Sequence, residues 1–516
     1  MKIAILHHHL NRGGVTQVVA NQLRALQTPG LQPQASEVLV LHGGRQDGWP
    51  DLASGSGGPH VEVACVEGLD YDDCGEMRCN DLAAAITTVL NDRGLAPEDT
   101  ILHVHNHSLG KNASLPGALR RLAERGYRLL LQIHDFAEDL RPANYQNYTR
   151  ALGSADASAV GRYVYPLSQH VHYAVLNSRD RGVLLQTGVA AAHVHLLPNP
   201  VTAAEQPLPH KEAAAKFRAT HGLPDAQRVV LYPVRGIRRK NLGELLLWAA
   251  VFPDTVFALT LPATSPAEVP SFERWQALAQ RLALPVLFDV GLNRQVSFAE
   301  NIAAASRIIT TSVAEGFGLT FLESWLHQRL LIGRNLPDIT KDFRAQGIRL
   351  DHLGDALYVP SSWVDSQAFV EQILALQARL CAAYGQTLPP DTEATLRELA
   401  AADSIDFAAL TTAQQAQLIE RIAKDRAAAS TIANLNPWMQ TSLTGDEHAW
   451  LPTIAANAEA VRRGYSLAAT AANLTAIYGT LLASATHNSV SALPHPERVL
   501  TAFLNVRRLA PVRVEP

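Results

Sequence analysis

The stretch Thr311-Ser-Val-Ala-Glu-Gly-Phe-Gly-Leu-Thr-Phe-Leu-Glu323 brings two carboxylates and two glycines close together in sequence. The preceding run, Arg307-Ile-Ile-Thr-Thr311, reads as a buried strand, and 319–331 reads as a helix. Glu315 and Glu323 therefore flank a strand-to-helix turn. Gly316 and Gly318 let the backbone approach a ligand closely. The first amides of a helix have no partners within it and carry the positive end of its dipole. Gly316, Phe317, Gly318, Leu319 and Thr320 thus form an anion cradle suited to phosphate. Glu315, on the loop, can face a neutral polar ligand beside that phosphate. Glu323, about a turn into the helix, can accept from a diol such as a ribose.

Three other turns carry chemistry. Val234-Arg-Gly-Ile-Arg-Arg-Lys-Asn241 follows an apolar run at 228–232 and leads into a helix from Leu242, so a strand ends in a cluster of cations. Asn11-Arg-Gly-Gly14 joins a strand at 2–7 to an amphipathic helix at 15–26 and makes a second anion-friendly terminus. His134-Asp135-Phe-Ala-Glu138 lies beyond a strand at 128–133, where open α/β folds bind ligands. His103, His105 and His107 alternate, which predicts one strand face and makes a metal site conceivable. No carboxylate cluster accompanies them, so packed or hydrogen-bonded histidines are the reading, and no metal is assigned.

Taken together, these motifs resemble the E-x7-E signature and surrounding turns of GT-B retaining glycosyltransferases, the large family-4 type. The resemblance covers about 1–339 and 464–482. It implies an α/β fold of two Rossmann-like domains facing a central cleft. It implies transfer of a hexose from a nucleotide sugar, UDP- or GDP-linked, to an acceptor hydroxyl, with no cofactor or metal required. By resemblance, Arg235 and Lys240 clamp the donor diphosphate, with Arg238 and Arg239 as competing candidates. Glu315 holds the donor sugar, Glu323 the ribose, and His134 lies beside the transferred sugar. Gly14 meets the donor phosphate or the acceptor, and the base lies against the loop of Gly291 and Asn293. A sugar phosphorylase of the same fold and a non-catalytic nucleotide-sugar scaffold are the alternatives. Gly13, Lys111, Arg141, Tyr145 and Arg179 are the acceptor candidates, and their cations suit a small anionic acceptor. One departure stands out. After Glu323 the family has small residues, whereas this chain has Trp325-Leu-His-Gln-Arg329.

The elements that must position these groups follow from length and pattern. At 516 residues the chain is expected to hold two or more domains, and 47% hydrophobic residues suffice for large cores. The expected division is 1–198, then 199–495 with a helical insertion at about 365–463, then 496–516 returning to the first domain. Pro198-Asn-Pro200 resembles the family's hinge. The 43–59 stretch, rich in Gly, Ser, Asp and Pro, reads as a mobile loop. The insertion reads as helices at 369–384, 393–401, 412–429 and 450–463, and its role is open between covering the cleft, binding acceptor and forming a homodimer. A net charge of -4 with 18% charged residues points away from nucleic acid. Cys65, Cys74, Cys79 and Cys381 show no metal or disulfide spacing, which suits a reducing cytoplasm. The apolar N-terminus is too short for a signal peptide, and no uninterrupted apolar run reaches the ~18–20 residues of a membrane span.

Overall fold

A computed structural model describes residues 1–28, 35–50, 59–72, 78–202 and 209–515. The chain divides into two units. The first comprises Met1–Thr202, Leu380–Thr387 and Gly464–Asn505. The second comprises Ala203–Arg379, Leu388–Arg463 and Val506–Pro516.

The first unit is built on seven parallel strands. They are β1 (Lys2–Leu6), β2 (Glu37–His42), β3 (His60–Cys65), β4 (Thr100–His105), β5 (Arg128–Ile133), β6 (Val171–Val175) and β7 (Val194–Leu196), ordered β3-β2-β1-β4-β5-β6-β7. Apolar runs such as Lys2-Ile-Ala-Ile-Leu6 and Thr100-Ile-Leu-His-Val-His105 suit strands covered on both faces. Register places Ile3 between Val38 and Ile101. Helices Gly14–Leu26 and Leu467–Ala483 cover one face, where Val19, Leu23, Leu474 and Tyr478 join Ile3 and Val40 in one core.

The second unit repeats the plan with five parallel strands: β8 (Arg228–Arg235), β9 (Thr255–Leu261), β10 (Val286–Leu287), β11 (Arg307–Thr310) and β12 (Leu330–Gly333), ordered β10-β9-β8-β11-β12. A small antiparallel pair joins β13 (Tyr358–Pro360), just before the added segment, to β14 (Ser404–Asp406) within it. In each large sheet the winding reverses beside the first strand, between β1 and β4 and between β8 and β11. Ligands of open α/β sheets bind beyond the carboxyl ends of strands at such a switch point.

Several elements differ from expectation. The helix expected over 319–331 covers only Thr320–Leu326, because Gln328 turns left-handed (φ 57) and the apolar run after it is β12. The helix expected over 412–429 is two, Thr412–Lys424 and Arg426–Leu435. Asp425 leaves helical geometry and caps the second through the Ala427 amide. Helices at Pro142–Leu152, Ala157–Val164, Pro337–Ala345 and Pro437–Thr444 are additional. The return to the first unit, expected near 496, begins at Gly464, and residues from Val506 lie with the second unit. Of the loop expected at 43–59, positions 51–58 lie outside the described residues, as do Cys74 and positions 203–208 after Pro198-Asn-Pro200. Among the described residues, one helical stretch, Glu447–Ala483, is long and apolar enough to cross a membrane by length and composition alone. Its second half supplies Leu474, Ile477, Tyr478 and Leu481 to the first unit's core.

The bulky residues after Glu323 are accommodated by the added helices. Trp325 is fully buried and donates its indole N–H to the Phe321 carbonyl at 2.7 Å. Its ring meets His352 edge-on at 6.1 Å, and His352 in turn packs against Trp450 at 5.0 Å. Trp450 lies on helix Glu447–Tyr465, beyond the strands of the sheet. The indole thus fills space that small residues would leave to a closer backbone. Trp325→Ala is expected to cost about 3–5 kcal/mol, and Trp325→Phe distinctly less, read from urea titrations of the chain followed by hydrogen exchange in peptides of the second unit.

Candidate functional site

In the second unit the basic turn and the glycine-bearing turn meet at the switch point. Lys240 Nζ bonds Glu315 Oε1, and Arg239 Nη1 donates to Glu315 Oε2 at 3.2 Å. The Glu315 side chain is 8% exposed and that of Lys240 10%. Burial alone would raise the Glu315 carboxyl, but the charges of Lys240 and Arg239 more than offset it and hold it at about 2. Burial likewise lowers Lys240, and Glu315 opposes that shift. Two cations on one carboxylate leave a local excess of positive charge.

The backbone explains why these side chains meet. After β8 the chain makes a short helical turn, Arg238–Lys240, and Asn241 adopts a left-handed conformation (φ 48) before helix Leu242–Val251. The Val313 amide donates to the Arg239 carbonyl at 3.0 Å, and Thr311 Oγ1 to the Lys240 carbonyl at 2.8 Å. These bonds tie the turn after β8 to the loop after β11. From below, Asn241 Nδ2 donates to Glu244 Oε2 at 3.0 Å, and the Arg334 guanidinium reaches the same oxygen at 2.6 Å and Asp406 at 2.7 Å. Burial, against the Arg334 charge, raises the Glu244 carboxyl to about 7.

The other residues expected at this site make contacts of their own. Arg235 is exposed and bonds Thr264 Oγ1 at 3.0 Å rather than Glu315, so Arg239 is the arginine in contact with the carboxylate. Gly318 has φ +92, and a Cβ there would stand 2.9 Å from the Phe321 ring, so glycine is required. Phe317 is buried edge-on against Phe343 at 5.6 Å. Thr320 opens the short helix, while Leu319 and Glu323 are exposed. Gly291 presses against β9, where a Cβ would lie 2.8 Å from the Thr260 carbonyl oxygen. Asn293 Oδ1 accepts from the Gln295 amide at 2.9 Å.

In the first unit, polar groups gather beyond β1, β4 and β5. His103 and His105 stack at 4.5 Å, and His105 Nδ1 lies 2.9 Å from His134 Nε2. His103 bonds Tyr478 and Gln132. His107 does not join the row expected from alternation. Asn106 turns left-handed (φ 64), ends β4 and sends His107 toward Tyr165 and Tyr173. Burial lowers His103 to about 3 and His134 to about 4, so both are neutral near pH 7. Among the described residues, no group of three or more His, Cys, Asp or Glu is arranged to hold a metal ion.

The loop at 134–141 is held from several sides. Asn106 Oδ1 accepts from the amides of His134 and Asp135, and Ser108 Oγ donates to the Asp135 carbonyl at 3.0 Å. Asp135 pairs with Arg141 at 2.5 Å, and Leu140 takes φ 54. Glu138 is buried, bonds Tyr165 at 3.1 Å, and is raised by that burial to about 7. Among the acceptor candidates, Arg141 lies on this loop. Tyr145, 1% exposed, packs inside the next helix. Arg179 pairs with Asp180 at 2.7 Å. Lys111 Nζ lies 5.6 Å from the centre of the Tyr71 ring, over its face. Gly13 and Gly14 begin their helix with no side-chain cap, and a Cβ at Gly14 would meet open space. Asn106 and Tyr384 were not singled out by sequence, although a polar residue just past a strand is a usable signal for the first.

No family model matches the chain. A mannosylglucosyl-3-phosphoglycerate synthase of Petrotoga mobilis is 25% identical over 350 residues, which is 66% of this chain and 66% of the relative's own length. Among solved structures, a sucrose-phosphate synthase from Thermosynechococcus elongatus is similar with a TM-score of 0.51 and 17% identity, over 94% of this chain and 99% of that one. An E. coli structure described as trehalose-6-phosphate bound with UDP-2-fluoro glucose has a TM-score of 0.51 and 11% identity, over 94% of this chain and all of the other. The fold is GT-B, with a seven-stranded and a five-stranded parallel unit.

A carboxyl depressed in the folded state adds stability that is full above its unfolded value and is lost as pH falls through its folded value. The stability difference between the wild-type chain and Glu315→Gln is therefore expected to be constant near neutrality and to shrink between about pH 4.5 and 2. Denaturant titrations across that range check it. A difference independent of pH would mean that the ion pair does not form in solution.

Proposed function

We propose that the chain is a glycosyltransferase that moves a hexose from a nucleotide sugar to the hydroxyl of a small phosphorylated acceptor, with retention at the anomeric carbon. The observation that carries this reading is the grip of Lys240 and Arg239 on Glu315 at the β8–β11 switch point. Excess positive charge beside a fixed carboxylate suits a diphosphate next to a sugar. The similarity to the phosphoglycerate-named relative supports the acceptor class.

In this reading the bond from the anomeric carbon to the diphosphate oxygen breaks, and a bond from that carbon to the acceptor oxygen forms on the same face. The acceptor proton passes to the departing phosphate. Negative charge grows on the leaving oxygen, where Arg235, Arg239 and Lys240 stabilise it without any reorganisation. Glu315, ionised throughout, accepts from donor-sugar hydroxyls and takes no proton itself. Amides around Gly316–Thr320 assist the phosphate, Glu323 accepts from the ribose, and the Gly291–Asn293 loop meets the base. His134, neutral, is assigned to the transferred hexose. Arg141, Arg179 and Lys111 are the groups assigned to an acceptor phosphate or carboxylate. A cytoplasmic site of action fits such soluble substrates.

A screen of nucleotide sugars by thermal shift identifies the donor, since a ligand at 100 times its dissociation constant adds about 2.7 kcal/mol of stability. With that donor, Glu315→Gln and Lys240→Ala are each expected to lower transfer by roughly 10²–10³ with the fold intact by circular dichroism. Near-normal transfer by Glu315→Gln would sink the mechanism, and a product of inverted anomeric configuration by NMR would sink retention.

A further inference from the structure

The added helical segment makes one short excursion into the first unit. Helix Ser366–Ala383 begins in the second unit, but Leu380–Thr387 belongs to the first, and the chain then returns. Those eight residues end at the loop that carries His134, Asp135, Glu138 and Arg141.

Tyr384 is the anchor. Its side chain is fully buried, and its hydroxyl accepts from the Arg141 amide at 2.6 Å while donating to the Ala137 carbonyl at 3.0 Å. One hydroxyl therefore bridges the two ends of the bend that contains Leu140 in its left-handed conformation. A β-carbon in that conformation is strained and persists only where the surroundings over-determine it. The Tyr384 ring meets Tyr145 edge-on at 5.0 Å, and Gln146 Nε2 donates to the Ala383 carbonyl at 3.0 Å. Gly385 has φ +69, and a Cβ there would stand 2.6 Å from that of Ala155, so the excursion fits closely as well as bonding.

We propose that Tyr384 is a positioning residue: the excursion braces the 134–141 loop, and with it Arg141, in the geometry that receives the acceptor. The role of the loop rests on the function proposed above, whereas the brace itself does not. The bracing hydroxyl is spent on backbone groups, so it does not act on substrate. Its removal should loosen one loop and leave the ion pair at Glu315 untouched.

The test is Tyr384→Phe in the full-length chain, which keeps the ring and removes only the hydroxyl, with Gly385→Ala as an independent disturbance of the same contact. Hydrogen exchange read by mass spectrometry should rise in peptides covering 134–146, and by NMR at the Arg141 amide, with other regions unchanged. In transfer assays the acceptor KM should rise about tenfold, the scale of one to two lost hydrogen bonds, while donor affinity by titration stays as in the wild type. Faster loop exchange in a chain with no transfer activity at all would uphold the brace and defeat the functional reading. Unchanged exchange at 134–146 in both variants would overturn the brace. So would a uniform loss of donor affinity, kcat and melting temperature, which marks general destabilisation.

Discussion

A carboxylate removed from water keeps its charge only where cations come with it. Taking one such ion out of solvent costs several kcal/mol even after relaxation. Glu315 meets that demand through Lys240 and Arg239, and the backbone around them is arranged accordingly. The turn after β8 must close against the loop after β11, so Val313 and Thr311 bond its carbonyls. Its exit must reverse sharply, so Asn241 turns left-handed and is held from Glu244 and Arg334. The charge on one side chain thus sets the course of two loops and the start of a helix.

The first unit solves its electrostatics the other way. Its buried histidines give up their charge, and His103, His105 and His134 stack as neutral rings. Beside the Asp135–Arg141 pair, this unit fixes its loops by many neutral bonds, from Asn106, Ser108 and Tyr384. Two left-handed non-glycine residues, Asn106 and Leu140, flank that region. Strain of this kind needs surroundings that permit no alternative.

Much of this architecture was readable in the chain, because buried parallel strands appear as plain apolar runs. β4 and β5 coincide with the expected 100–105 and 128–133. The meeting of Lys240 with Glu315 follows from two strand-end turns that adjacent strands bring together. Which arginine joins them was not readable. Arg235, Arg238 and Arg239 differ only in where a short turn points them, and that depends on Asn241 and on bonds from a distant loop. The helix expected at 319–331 failed because an apolar run of four residues suits either helix or strand until the reversal at Gln328 is known. Tyr384 left no local trace, since its partners lie more than two hundred positions away.

The division of the chain also bears on how it is made. The first unit's sheet is complete by Leu196, yet its core is closed by Leu474, Ile477, Tyr478 and Leu481. At ribosomal rates of about 5–20 residues per second, one face of that sheet waits on the order of tens of seconds for the rest of its cover. During that interval helix Gly14–Leu26 covers β1, β2 and β4 without its partner helix. The last packing step of the first unit therefore waits until almost the whole chain has been made.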